Sequence, residues 1–417
     1  MPQKLIDQTT IQPDGRPGDD AFTAFATCND NFEDAEQRLS ALEGGSSNIG
    51  QDVADLKTGL QQEQEIRLQG DDALGLRIDA EQAAHQALAQ SLGARFIGKN
   101  RIINGSMRWW QRGTNFTSPG YSVDRWYFNA GGVNTPSVSR NPITPGSSDT
   151  ECIYFAKIAY GAVTDAANHY VVLEQRMENV TTLAGRTVTL SLKVFNSGAA
   201  GRQIAIEFGQ SFGAGGSAQV SGIGAAKYSL EAGLNTITHI AQIPSISGKT
   251  VGANSSLILT LWATGGSNFN ARNASLGAQA GDVHFTQVQV EEGSSASAFE
   301  YRHDELELML CQRFYEKSYD IGVLPGSVSV NGRVNRFYDK QGGGSTADVR
   351  FTVRKRASPA VAIYNDQTGQ INSISAANGA SGTVSSVINI GETGCQVNYL
   401  PASSWGAAFH YTADAEI

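Results

Sequence analysis

The chain has 417 residues, of which 46 are glycine, 17% are charged and 40% are hydrophobic. Glycine well above its ordinary share of about 7%, together with so few charges, favours turn-rich β structure, and the length calls for two or three folding units. The formal charge of −9 is localised: residues 1–96 carry 17 acidic against 7 basic side chains, and residues 97–417 carry 23 against 24, which excludes a nucleic-acid binder that neutralises phosphates with clustered Lys and Arg.

Cys28, Cys152, Cys311 and Cys395 lie far apart with no CxxC pair, so reduced thiols of a protein made in a cytosol are expected rather than a disulfide framework. The N-terminal residues lack the basic end and apolar core of a signal peptide, and no apolar run approaches the roughly 20 residues of a membrane span.

Turn formers occupy residues 1–20, followed by FTAFATCNDNFEDAEQRLSALE, in which Phe22, Phe25, Phe32, Leu39 and Leu42 form an apolar stripe at helical spacing. A small docking helix is predicted there, ending at Gly44-Gly45-Ser46-Ser47. From Ile49 the spacing is heptad-like: Ile49, Val53, Leu56 and Leu60 alternate steps of four and three, as do Leu74, Ile78, Glu81, His85, Leu88 and Leu92. Gln61 to Asp72 offers no apolar residue in either register, which predicts a discontinuity in a coiled coil. A lone exposed helix is disfavoured by Gly59, Gly70 and Gly75.

From residue 97 the period changes to two. NRIINGSMRWWQRGTNFTSPGYSVDRWYF (100–128) gathers seven aromatics, and TVTLSLKVF, RQIAIEF, SLILTLWA and DVHFTQVQVEE are strands separated by Gly/Ser/Asn turns. Strands at this spacing over residues 97–300 predict a jelly-roll β-sandwich. Within it, Ile102, Ile103, Met107, Trp109 and Trp126 are expected to face the core, while Trp110, of opposite parity to Trp109, and Tyr121 are expected at a trimer contact or on an exposed platform. FEYRHDELELMLCQRFYEKSYD predicts a linking helix (301–320) that packs Leu306, Met309, Leu310, Phe314 and Tyr315, and residues 321–417 return to strands as a compact antiparallel β-sandwich.

NRIINGSMRWWQRGT, VDRWYF, LEQRMENV, GDVHFTQVQVEEG, ELELMLCQRFYEKSY, RKRASPAVAIY and HYTADAEI together resemble the fibre and receptor-binding proteins of tailed bacteriophages. KLIDQTTIQPDGRPGDDAFTAFATCNDNFEDAEQRL resembles their virion-attachment segment. Two positions depart from that pattern, the Trp109-Trp110 pair and His303. The resemblance implies a homotrimer on a virion, made in the host cytoplasm: residues 1–48 for attachment, with residues 1–43 contacting a tail, baseplate or head protein, 49–96 for a trimeric coiled-coil stalk, then a head like a carbohydrate-binding module, the helix, and a distal tip.

Sugars stack their C–H faces on aromatic rings while amides and Arg bond the hydroxyls. Trp262, with Asn268, Phe269 and Arg272 in the loop after it, supplies both ingredients; Trp405 beside Tyr399 is a second candidate. The alternative for either tryptophan is a plug in a trimer interface. Arg350, Arg354 and Arg356 are expected on one strand face, either guarding a sheet edge or contacting an anionic glycan or lipopolysaccharide phosphate. No HExxH, nucleophile elbow or dinucleotide fingerprint occurs, and Glu291-Glu292, neighbours on one strand, point to opposite faces. No catalytic residue, metal ligand or cofactor is assigned. The expected function is non-covalent recognition of host surface polysaccharide. The competing readings are a purely structural or decoration fibre, and a depolymerase, which generally requires a long β-helix repeat that is absent here.

Overall fold

A computed structural model describes residues 7, 10, 11, 15, 18, 21–44, 49–93, 98–144, 151–336, 345–376, 380–400 and 406–417. The chain divides into two compact units, Met1–Ala89 and Gln90–Ile417.

The first unit contains helices α1 (Ala21–Gly44) and α2 (Ile49–Gly93). At 1.5 Å per residue the 45 residues of α2 span about 67 Å. The two helices pack antiparallel: Asn31 donates to Glu63 at 3.0 Å, and Arg38 lies by Leu56 in a shallow groove between them. Glu63 is buried within the stretch that has no apolar residue in either heptad register, and the neighbouring Cys28 thiol is pushed up by burial and by that carboxylate. The gap in the heptads is therefore a polar layer supplied in part by α1. Elsewhere the apolar stripe is open to solvent, with Phe22, Phe25, Val53, Leu60, Leu74 and Ile78 all exposed.

In the second unit, among the described residues, β1 (Asn115–Phe116), β2 (Gly120–Tyr121), β3 (Trp126–Gly131), β4 (Ser137–Pro142), β5 (Tyr154–Ala159), β6 (Tyr170–Glu178), β7 (Thr187–Asn196), β8 (Arg202–Ser211), β9 (Val220–Leu230), β10 (Gly233–Gln242), β11 (Ser256–Gly265) and β12 (Val283–Glu292) form two antiparallel sheets. Their orders are β1-β4-β5-β12-β7-β10 and β2-β3-β6-β11-β8-β9. Alternation explains the layering: Leu190, Leu192, Phe285 and Val290 of one sheet and Ile204, Phe208, Leu257, Leu259 and Leu261 of the other meet in one core.

The aromatic run at 100–128 departs from strand alternation. Residues 99–112 form turns, with Asn104 and Met107 at φ of 57° and 56°, so parity does not carry through them. Trp110 is the buried member, bonded from Nε1 to the Met107 carbonyl at 2.8 Å, and Trp109 and Ile103 are only half-buried. Trp126 and Met107 lie in the core as expected.

The linking helix is shorter than its predicted range. It spans α4 (Asp304–Gln312; α3 is the single turn Asn270–Asn273), and buries Glu307 and Cys311, leaving Leu306 and Met309 exposed. Phe314 and Tyr315 are buried, but beyond the helix end. Among the described residues the strands of the tip are hydrogen-bonded into one eight-stranded sheet. Its strand Ala407–Asp414 pairs with Tyr315–Lys317, Val334–Arg336, Ala360–Asn365 and Ser373–Ala376, and the sheet closes over a core that includes Val349, Ile363, Val397, Tyr399 and Phe409.

Candidate functional site

The site begins with Trp262. Its neighbours Leu261 and Ala263 face the sandwich core, so the indole stands on the outer face of β11, between Val172 of β6 and Ala205 of β8. The chain then turns back over it as a 3-10 turn (Ser267–Phe269) and α3 (Asn270–Asn273). The Phe269 ring lies 5.5 Å from the indole and the Arg272 guanidinium 5.1 Å from its centroid. Roofed in this way, Trp262 is 2% exposed and supports the loop from below, which corrects the expectation that it stacks directly on a sugar.

Arg272 is fixed by Glu207, 2.5 Å away. Burial pushes the Glu207 carboxyl above the usual range, opposed by Arg272 and by the Gly222 N–H. Strand register sets Glu174, Thr260 and Glu207 in a row on this outer face, and burial likewise raises Glu174.

A second loop, between β5 and β6, locks against the first. Asp165 accepts from the N–H groups of Ala167 (3.0 Å) and Asn168 (2.9 Å) and from the Asn168 amide (3.0 Å), which hold its carboxyl below the ordinary range. Gly266 N–H donates to the His169 carbonyl at 2.7 Å, Asn268 N–H to Ala167 at 3.0 Å, and the Asn268 amide to Asn168 at 2.6 Å. A Cβ at Gly266 would run into the Ala167 carbonyl, so the approach of the loops requires glycine there.

The two loops thus present a single platform. Tyr170 and Phe269, both half-exposed, meet edge to face at 5.5 Å, and Asn168, Asn268 and Asn270 are exposed around them beside Arg272. Aromatic faces bordered by amides and a guanidinium are equipped to stack on sugar C–H groups and bond hydroxyls. Asn268, Phe269 and Arg272 were identified from the sequence. Tyr170, Asn168 and Asp165 were missed. Asp165 and Asn168 are recognisable as an Asx turn, but no local pattern brings residues 165–170 to residues 266–273.

The other candidates lie elsewhere. Tyr399 is fully buried in the tip core, because strand parity turns it inward, and Trp405 falls outside the described residues. Trp110 is a core side chain. Tyr121 is half-buried, 5.2 Å from Tyr127, and donates to the Ile417 carbonyl at 2.8 Å. The three arginines do not share a strand face, since the strand Ser345–Arg350 ends at the first of them. Arg350 is exposed, and Arg354 is held by Glu392, with Nε at 2.6 Å. Arg356 joins the tip to the sandwich, donating to Asn254 at 3.1 Å, to the Glu416 carbonyl at 3.0 Å and to the Ala415 carbonyl at 2.5 Å. Among the described residues no three His, Cys, Asp or Glu side chains cluster as a metal site, and no helix is long and apolar enough to cross a membrane.

Facing antiparallel sheets with a loop platform on one outer face define a β-sandwich of jelly-roll type. No protein-family model and no curated protein sequence matches the chain. Among solved structures it is similar to a cyclase from Fischerella sp. TAU in complex with 4-(1H-indol-3-yl)butan-2-one, at 14% identity and a TM-score of 0.30, covering 44% of this chain and 91% of that one. It is also similar to a family 11 carbohydrate-binding module from Clostridium thermocellum in complex with a mixed-linked tetrasaccharide, at 11% identity and a TM-score of 0.25, covering 44% of this chain and 96% of that one. A third is the mannan-recognising module TmCBM27, at 8% identity and a TM-score of 0.25, covering 41% and 91%.

Proposed function

We propose that this chain is the protomer of a homotrimeric phage fibre whose sandwich binds a host surface polysaccharide or lipopolysaccharide without cleaving it. The observation that carries the binding reading is the platform itself: Tyr170 and Phe269 are partly open to solvent while hydrogen bonds between the two loops fix the amides around them. Little ordering remains to be done on binding, which favours affinity. Trimerisation rests on the exposed apolar stripe of the helical unit, which a single chain leaves in water and parallel copies of α2 would cover. Three platforms on one stalk then raise a weak single-site affinity by avidity. Residues 1–43 are assigned to virion attachment, with Phe22 and Phe25 as the anchoring side chains, and the protein to the virion.

The test is a glycan array probed with the intact protein, its Phe269→Ala variant and its Asn268→Ala variant, each checked for fold by circular dichroism. Host polysaccharide bound by the parent and lost by both variants is the expected outcome, with no new reducing ends released on prolonged incubation. A folded parent that binds no glycan would leave a purely structural fibre, and released reducing ends would make the protein a depolymerase.

A further inference from the structure

The aromatic run at 100–128 and the segment preceding α4, neither of which contributes to the platform, come together at a cleft. Residues 100–108, 151–153 and 299–307 wall a cavity of about 180 Å³. At roughly 30 Å³ per water it holds about six, the space of one sugar ring rather than of a chain segment.

We infer that this cleft is a second binding site, taking a single neutral hexopyranose unit. Its apolar surface comes from Phe299 and Tyr301, whose rings meet edge to face at 4.9 Å, and from Ile153. Tyr301 is 42% exposed, yet its position is fixed, because its hydroxyl accepts from the Glu151 N–H at 3.0 Å and from the Gln287 amide. The polar rim is the Arg108–Asp304 ion pair at 2.8 Å, with 33% and 52% of the two side chains exposed. A guanidinium and a carboxylate held side by side offer donors and an acceptor at the spacing of neighbouring ring hydroxyls, while the aromatic wall suits the C–H face.

Two further observations set the ligand class. The deeper carboxylates are already committed: Glu300 accepts from the N–H groups of Gly98 at 2.6 Å and Asn100 at 2.8 Å, and Glu307 accepts from the Asn104 N–H and from Arg302 at 3.3 Å. They brace the floor rather than gather a cation. The lining as a whole carries Glu151, Glu300, Asp304 and Glu307 against Arg108 and Arg302, an acidic balance that repels phosphorylated and uronic sugars.

The experiment is ligand-observed saturation-transfer NMR on the full chain with glucose, galactose and glucuronic acid as probes. Binding is measured in the Phe269→Ala background, which removes the platform contact, and then with Arg108→Ala or Ile153→Trp added. Neutral hexose binding should persist in Phe269→Ala, weaken about 10-fold with Arg108→Ala through the loss of a charged hydrogen bond, and disappear when Ile153→Trp fills the cleft. Both added substitutions replace partly exposed side chains, and circular dichroism verifies the fold. Hexose binding lost with Phe269→Ala alone overturns the inference, as does binding that survives both cleft substitutions; glucuronate bound as well as glucose overturns the ligand class.

Discussion

Replacing Trp262 by alanine separates support from contact. The indole is 2% exposed, packs on Val172, Ala205 and Leu276, and is covered by Phe269 and Arg272. Removing a buried tryptophan costs about 3–5 kcal/mol. One wall of this cluster is a single helical turn that can settle inward, which places the expected loss near the lower end, about 3 kcal/mol. For a denaturant slope of about 2–3 kcal/mol per molar urea, the unfolding midpoint should fall by roughly 1–1.5 M. Phe269→Ala removes a half-exposed ring from the same cluster and should shift the midpoint by less than half as much, although it abolishes the stacking surface. Urea titrations followed by far-ultraviolet circular dichroism read both variants. If Trp262→Ala leaves the midpoint unchanged and loses glycan binding, the indole contacts ligand directly and the roofed arrangement is refuted.

Substituting Val53, Leu74 and Ile78 of α2 by glutamate should reduce the mass measured by light scattering from three chains to one, with the β signal of residues 98–417 retained; a trimer that survives places association elsewhere. Arg356→Ala removes the bridge from the tip to Asn254 and to the carbonyls of Ala415 and Glu416, costing about 1.5–3 kcal/mol; carboxypeptidase should then remove the C-terminal residues faster than in the parent, and equal rates would contradict the bridging role. The folded-state pKa of Glu174 lies above the ordinary carboxylate value because burial penalises its charged form, so the native state holds the proton more tightly and this group's contribution to stability declines as pH rises through the raised value. Glu174→Gln should therefore gain stability relative to the parent as pH rises above the ordinary carboxylate value; a difference independent of pH would show that the carboxyl is not perturbed.

The sandwich was readable because its strands are fully two-faced. TVTLSLKVF and RQIAIEF became β7 and β8, and SLILTLWA and DVHFTQVQVEE became β11 and β12, with boundaries shifted by a few residues. Alternation failed where the backbone leaves the extended region, at Asn104 and Met107, and so exchanged the burial of Trp109 and Trp110. It also failed at α4, where a buried carboxylate, Glu307, braced by Arg302 and the Asn104 N–H, takes a position that hydropathy assigns to solvent. The heptad gap had the same cause, since hydropathy does not show that Glu63 is partnered by Asn31 on another helix. At the platform, the residues after Trp262 were legible by composition. Their partners at 165–170 were not, because the loops are joined by backbone hydrogen bonds, an Asn268–Asn168 side-chain bond and a ring contact across about a hundred positions.

The most direct measurement of the central claim is fluorine NMR on intact protein labelled with fluorophenylalanine, with the Phe269 resonance assigned by its loss in Phe269→Leu. Titration with a host polysaccharide should move the Phe269 signal in a saturable way while that of Phe409, enclosed in the tip core, stays fixed. A polysaccharide that binds the protein yet leaves the Phe269 signal unmoved would contradict the assignment of the platform.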